Sequence, residues 1–149
     1  MLKNLDPLLH ADILYALRSM GHGDYLTVCD SNFPARTVAD ETVMGEVLRL
    51  DNANAPRAVK AVLSVMPLDT FIDDAAKRME VVGAPDEVTE VQQEVQKEID
   101  AAEGKHWPLA SVERFAFYDL AKQSYAVIQT GELRFYGCFL LTKGVIPPK

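Results

Sequence analysis

Met20-Gly21-His22-Gly23-Asp24-Tyr25-Leu26-Thr27-Val28-Cys29-Asp30 carries the chain from one kind of secondary structure into another. Before it, Leu5, Leu8, Leu9, Ile13, Leu14, Leu17 and Met20 recur at helical spacing with Asp6, Asp12 and Arg18 between them. That pattern predicts an amphipathic helix stopping at Gly21. Within it, Tyr25 to Cys29 is rich in β-formers and bounded by two aspartates, which predicts a short, well-buried strand. Beyond it, Pro34 marks a loop or a sheet edge.

The same alternation continues along the chain. Glu46 to Asp51 alternates apolar and polar residues as a half-buried strand does. Asn54-Ala55-Pro56 then reads as the cap and first turn of a helix carrying Val59, Val62, Leu63 and Met66, closed by Pro67. Ala75 to Val82 is ambiguous, with Met79 to Val82 as its candidate strand, and Gly83-Ala84-Pro85 breaks the chain. A helix is expected from Asp86, with Val88, Val91, Val95 and Ile99 on one stripe and Gly104 at its end. Glu113 to Tyr118 leads into a further helix; Tyr125 to Gln129 and Phe135 to Leu141 read as strands joined through Gly131 as a hairpin. Strands interleaved with helices predict an α/β fold, a single compact domain over residues 1–149 with a mixed sheet flanked by helices.

Composition narrows the partners. Twenty-two acidic against fifteen basic residues give a net charge of −7, and the bases do not cluster, so nucleic acid and anionic membrane surfaces are disfavoured relative to a small neutral ligand. Asp6, Asp12 and Arg18 interrupt the leucine-rich start, which fits neither a signal peptide nor a membrane span and leads us to expect a cytoplasmic protein. Cys29 and Cys138 form no Cys-x-x-Cys pair and read as reduced, buried, small hydrophobes. The sequence contains no dinucleotide-binding loop, Walker, Gly-x-Ser-x-Gly or His-Glu-x-x-His motif, and we expect neither a metal nor a cofactor.

Five positions stand out chemically. His22, between two glycines, is either a capping or surface histidine or an imidazole presented to a ligand as a proton donor. Asp30, where a strand passes into a loop, is either a turn former bonded to the backbone near Asn32 or a ligand-binding carboxylate. Arg114 either starts a helix, with Phe115 and Phe117 filling the core, or directs its planar fork at hydroxyl groups. Tyr118 and Tyr136 each combine a ring with a polar tip, the better aromatic candidates for a wet pocket.

Taken together, Met20 to Asp24, Asp30-Ser31-Asn32-Phe33-Pro34-Ala35, Glu113-Arg114-Phe115-Ala116-Phe117-Tyr118, Thr130-Gly131-Glu132 and Tyr136-Gly137-Cys138 resemble the L-fucose mutarotase and D-ribose pyranase family, closer to its fucose branch. The resemblance spans both ends of the chain and leaves Asp69 to Pro108 without a matching motif. It implies an α/β protomer assembled into a ring-shaped decamer of stacked pentamers, with sites near subunit boundaries. It further implies cofactor-free interconversion of monosaccharide anomers. By the same resemblance His22 is the catalytic proton donor, while Asp30, Arg114, Tyr136, Gly137 and Cys138 bind sugar; Tyr118, from its own ring and polar tip, is a further candidate to line the pocket. One position departs from the family, whose last segment usually reads Tyr-Gly-Asn: Cys138 stands here, and a thiol lacks the paired donor and acceptor of a carboxamide. That substitution keeps two alternatives open, a non-catalytic sugar-binding or assembly module and a pyranase-like enzyme acting on another monosaccharide.

Overall fold

The computed structural model describes residues 1–149. Its centre is a six-stranded sheet of β1 (Tyr25–Cys29), β2 (Val47–Leu50), β3 (Ala76–Met79), β4 (Ala110–Val112), β5 (Ala126–Thr130) and β6 (Phe139–Thr142), ordered β2-β5-β1-β6-β3-β4. β1 pairs in parallel with β5, β5 with β2 and β3 with β4, whereas β6 runs antiparallel between β1 and β3. Helices α1 (Ala11–Ser19), α2 (Ala35–Ala39), α3 (Ala55–Leu63), α4 (Glu90–Glu103) and α5 (Arg114–Lys122) complete the chain.

The central strands β1 and β6 are nearly continuous in apolar residues because both faces of the sheet are covered there. Leu26, Val28, Ala126, Ile128, Phe139 and Leu141 point to the larger core, shared with α1, α3 and α4. The alternate residues Cys29, Val127, Cys138 and Leu140 point to the smaller one, under Val38 of α2 and Phe117 and Ala121 of α5. Both cysteines are buried and unbridged.

The sheet is mixed, as expected, but for a different reason. β5 and β6 form no hairpin, because β1 lies between them and residues 131–138 arch over its end. Gly131 donates to the carbonyls of Leu50 and Ala53 at the start of this arch, and a Cβ there would sit 2.2 Å from the Asp51 carbonyl oxygen. The last strand therefore starts at Phe139 rather than Phe135.

Other boundaries move for local reasons. α1 starts only at Ala11, since the Asp6 carboxylate accepts from the Leu8 amide in a preceding turn and is held by both terminal nitrogens of Arg57. Pro34 opens the five-residue α2 instead of a loop, fitting a residue that needs no amide donor at a helix start. β3 lies three residues earlier than its apolar candidate because Lys77 and Arg78 are buried, and α4 starts at Glu90 behind Thr89 rather than at Asp86. β4, three residues at the sheet edge, is missing from the sequence reading. Asn54 caps α3 through the Arg57 amide, and Gly104 ends α4 at φ 68°, both as expected.

Candidate functional site

A cleft of about 340 Å³ lies at the end of β1, beneath the 131–138 arch and beside the start of α5. It is at the small end of the range for ligand sites. Asp30, Asn32, Arg114, Tyr118, Tyr136 and Cys138 give it polar groups, while Phe33, Met79, Val82 and Phe135 supply apolar walls.

Asp30 forms the turn that its sequence setting allowed, and it also lines the cleft. Its Oδ1 accepts the amides of Asn32 and Phe33, each at 3.0 Å, forming the turn after β1. Its Oδ2 accepts the Gly137 amide at 3.1 Å and the Cys138 thiol at 3.4 Å, so the same carboxylate ties the arch to β1 while lining the cleft. Burial pushes the carboxyl above its ordinary value, outweighing the four hydrogen bonds that favour the anion. Gly137 is required there by space, because a Cβ would fall 2.9 Å from Glu132 Cγ and 3.3 Å from Asp30 Cβ.

The arch itself is anchored by charge. Glu132 is buried, accepts the Ala55 amide and the backbone and guanidinium donors of Arg134, and stays below the ordinary carboxyl value because these bonds outweigh its desolvation. Arg134 also forms two parallel bonds to Glu94 of α4, at 3.0 and 2.8 Å. On this support Tyr136 adopts φ 63°, a left-handed conformation that is uncommon for a residue with a bulky side chain. Its hydroxyl accepts the Val82 amide at 3.3 Å.

Arg114 occupies the first position of α5 because Glu113 caps the helix, accepting the Phe115 and Ala116 amides. Its Nε donates to the Tyr118 hydroxyl at 3.0 Å, and the guanidinium lies over the Phe115 and Tyr118 rings. Of the two phenylalanines assigned to the core, Phe117 is fully buried, whereas Phe115 is on the surface. The cleft thus unites Asp30, Arg114, Tyr118, Tyr136 and Cys138, with Gly137 beside them in the arch.

His22 lies elsewhere. It precedes β1 whereas Asp30 follows it, and the five strand residues between them span about 16 Å. One protomer therefore does not bring the two to a common ligand. At its own end the His22 Nε2 sits 3.0 Å from Asp69 Oδ1, and its ring tilts against Phe71 at 5.4 Å. Asp69 is buried yet held below its ordinary value: desolvation pulls the carboxyl up, but the Phe71 amide and the His22 contacts outweigh it. The loop is set by Gly23, at φ 87° and donating to the Lys143 carbonyl, while Asp24 turns back to accept the Gly21 amide at 2.7 Å.

Sequence reasoning missed Asp69, and no local signal marks it: it follows Leu68 in a loop far along the chain from His22. It also did not single out the apolar walls, of which Phe33 lies within a quoted motif and Phe135 adjoins one. No helix is long and apolar enough to cross a membrane.

Comparison with known proteins gives a consistent result. Residues 3–146 match the model of the RbsD / FucU transport protein family. The human protein named fucose mutarotase is 40% identical over 97% of this chain and 94% of its own length. Among solved structures, FucU from Bifidobacterium longum is 36% identical with a TM-score of 0.88, covering 97% of this chain and all of that one. The fucose mutarotase from Streptococcus pneumoniae, solved with L-fucose, is 29% identical with a TM-score of 0.87, covering 98% of this chain and all of that one.

Proposed function

This chain belongs to the RbsD / FucU family, and from that membership and the geometry of the cleft we propose that it is a cofactor-independent mutarotase that interconverts the anomers of L-fucose. The observation carrying this reading is the pairing, on one fold, of a small cleft with hydroxyl-binding groups and an outward-facing imidazole backed by a buried carboxylate. Asp30, Arg114, Tyr118, Tyr136 and the Gly137–Cys138 segment hold the sugar, and Phe33, Met79, Val82 and Phe135 pack against its apolar faces.

His22 is the proton donor. With Asp69 ionised, the proton on Nε2 is directed at Asp69 Oδ1, and His22 acts as the imidazolium, whose second proton, on Nδ1, is the one given to the substrate. Donation to the ring oxygen breaks its bond to the anomeric carbon while the anomeric hydroxyl gives up its proton to water. The open aldehyde turns about the neighbouring carbon–carbon bond and closes on its other face. His22 is regenerated by the reverse transfer.

Because β1 separates His22 from the cleft, the donor comes from a neighbouring copy. A ring-shaped homo-oligomer, a decamer of stacked pentamers, would place His22 and Phe71 of one subunit at the cleft of the next. Exposed apolar side chains at both ends support this arrangement: Val82 and Phe135 line the cleft and Phe115 packs on Tyr118 beside it, while Phe71 packs on His22. We place the enzyme in the cytoplasm beside sugar uptake.

Cys138 favours a second reading, a sugar-binding module without turnover, since its thiol spends its hydrogen on Asp30. Magnetisation-transfer NMR separates the two. Exchange between the α and β anomers of L-fucose accelerates with the protein, and His22→Ala removes the gain; binding without exchange sinks the enzyme reading, and faster exchange of D-ribose than of L-fucose would move its substrate.

A further inference from the structure

A buried polar network behind the arch lies outside every role assigned above. Gln92, on the first turn of α4, is completely buried and has its amide fully occupied. Its Nε2 donates to the carbonyls of Met79 at 2.8 Å and Tyr136 at 3.1 Å. Its Oε1 accepts the Thr89 amide at 3.3 Å and a terminal nitrogen of Arg78 at 3.4 Å.

Arg78 on β3 is 6% exposed and none of its hydrogen bonds goes to a carboxylate. Besides Gln92 it donates to the carbonyls of Glu87 and Pro85, fastening the turn before α4 to the sheet. Facing two donors on one side and two carbonyls on the other, the Gln92 carboxamide has only one orientation that satisfies every partner. A buried polar group with this many fixed partners is costly to rearrange.

The Tyr136 carbonyl is the group that gains. Tyr136 holds a left-handed backbone at φ 63°, and such residues persist only where their surroundings over-determine them. Its neighbour Gly137 must meanwhile present its amide to Asp30. We propose that Gln92, oriented by Arg78, is a positioning residue that locks the Tyr136 peptide and thereby sets how tightly the cleft binds its sugar. The inference rests on the mutarotase reading for its ligand, and on the structure alone for its geometry.

Gln92→Glu tests it with little change in volume. The carboxylate gains a charged bond with Arg78 but turns an acceptor toward the Met79 and Tyr136 carbonyls, so it releases the arch while retaining a partner. In the full-length protein we expect L-fucose binding by calorimetry, and KM in the anomer-exchange assay, to weaken about tenfold, as for one lost hydrogen bond, with the saturated rate within about twofold. Amide hydrogen exchange at Gly137 should accelerate in the sugar-free protein while the β1 amides stay protected. A merely structural residue would shift thermal stability without this local release or the KM-against-kcat split.

Wild-type affinity and unchanged Gly137 protection in folded Gln92→Glu would overturn the proposal. If that variant fails to fold, Arg78→Lys decides: it keeps the charge but loses the fork, and unchanged affinity and Gly137 protection would overturn the proposal equally. Failure of the wild-type protein to exchange or bind L-fucose strikes the mutarotase reading instead, and Gly137 protection still reports on the network.

Discussion

The two ends of β1 are built in opposite ways. At the Asp30 end the carboxylate is buried among four donors, the arch is anchored by Glu132 and Arg134, and an open cleft runs between the arch and the start of α5. At the His22 end a half-exposed imidazole leans on one buried carboxylate and one exposed ring. On the proposed mutarotase reading the contrast separates binding from chemistry: the Asp30 end would hold the sugar, and the His22 end would present its imidazole outward to a sugar held by another copy.

Removing the outward group should have the largest effect. His22→Ala is expected to lower anomer exchange about a hundredfold or more, the usual contribution of a general acid, with L-fucose binding by calorimetry weakened far less. Asp69→Asn retains an acceptor for Nε2 but not its charge, and should reduce the saturated exchange rate by about ten- to a hundredfold with little change in KM. Equal losses in rate and affinity for either variant would erase the division between the ends.

At the other end, Gly137→Ala forces a Cβ toward Glu132 and Asp30 and should destabilise the fold by about 1–3 kcal/mol while weakening sugar binding. Urea denaturation with and without L-fucose reads both effects.

Acid titration gives the ends opposite signs. Asp69 lies below its unfolded value, so its stabilising contribution is complete above the ordinary carboxyl range and is lost as pH falls through the lowered folded value. Asp30 lies above its unfolded value, so its protonated form favours the fold: its contribution is complete below the unfolded value and is lost as pH rises through the folded one. Denaturation midpoints against pH should therefore lose acid sensitivity in Asp69→Asn and gain it in Asp30→Asn. The same slope change in both variants would contradict the assigned directions.

The smallest effect concerns the cysteines. Burial, with Asp30 nearby, pushes both thiols well above their ordinary value, so neither should react with a thiol reagent until the protein unfolds. Rapid native labelling at Cys138 would mean that the arch opens.

How much of this was legible in sequence depended on how local each cause was. β1 could be read to the residue because its apolar run answers to two covered faces, and the caps at Asn54 and Gly104 need only their own neighbours. β3 was masked by Lys77 and Arg78, whose burial makes sense only once Asp74 and Gln92 are seen beside them. The missing hairpin follows from β1 inserting between β5 and β6, a long-range pairing that no local spacing reveals. In the cleft, the motifs at Asp30, Arg114 and Tyr136 did converge. What sequence motifs left out was direction: His22 faces away from them, toward Asp69.

The claim that binding and proton transfer meet only between copies can be tested by mixing two disabled proteins. His22→Ala lacks the donor but keeps the cleft; Arg114→Ala keeps the donor but has a damaged cleft. Refolded together in equal amounts and assayed for L-fucose anomer exchange, they should restore about a quarter of the wild-type rate, since in a ring of mixed subunits roughly one site in four combines an intact donor with an intact neighbouring cleft. A mixture no more active than the average of its two parents would contradict the shared site.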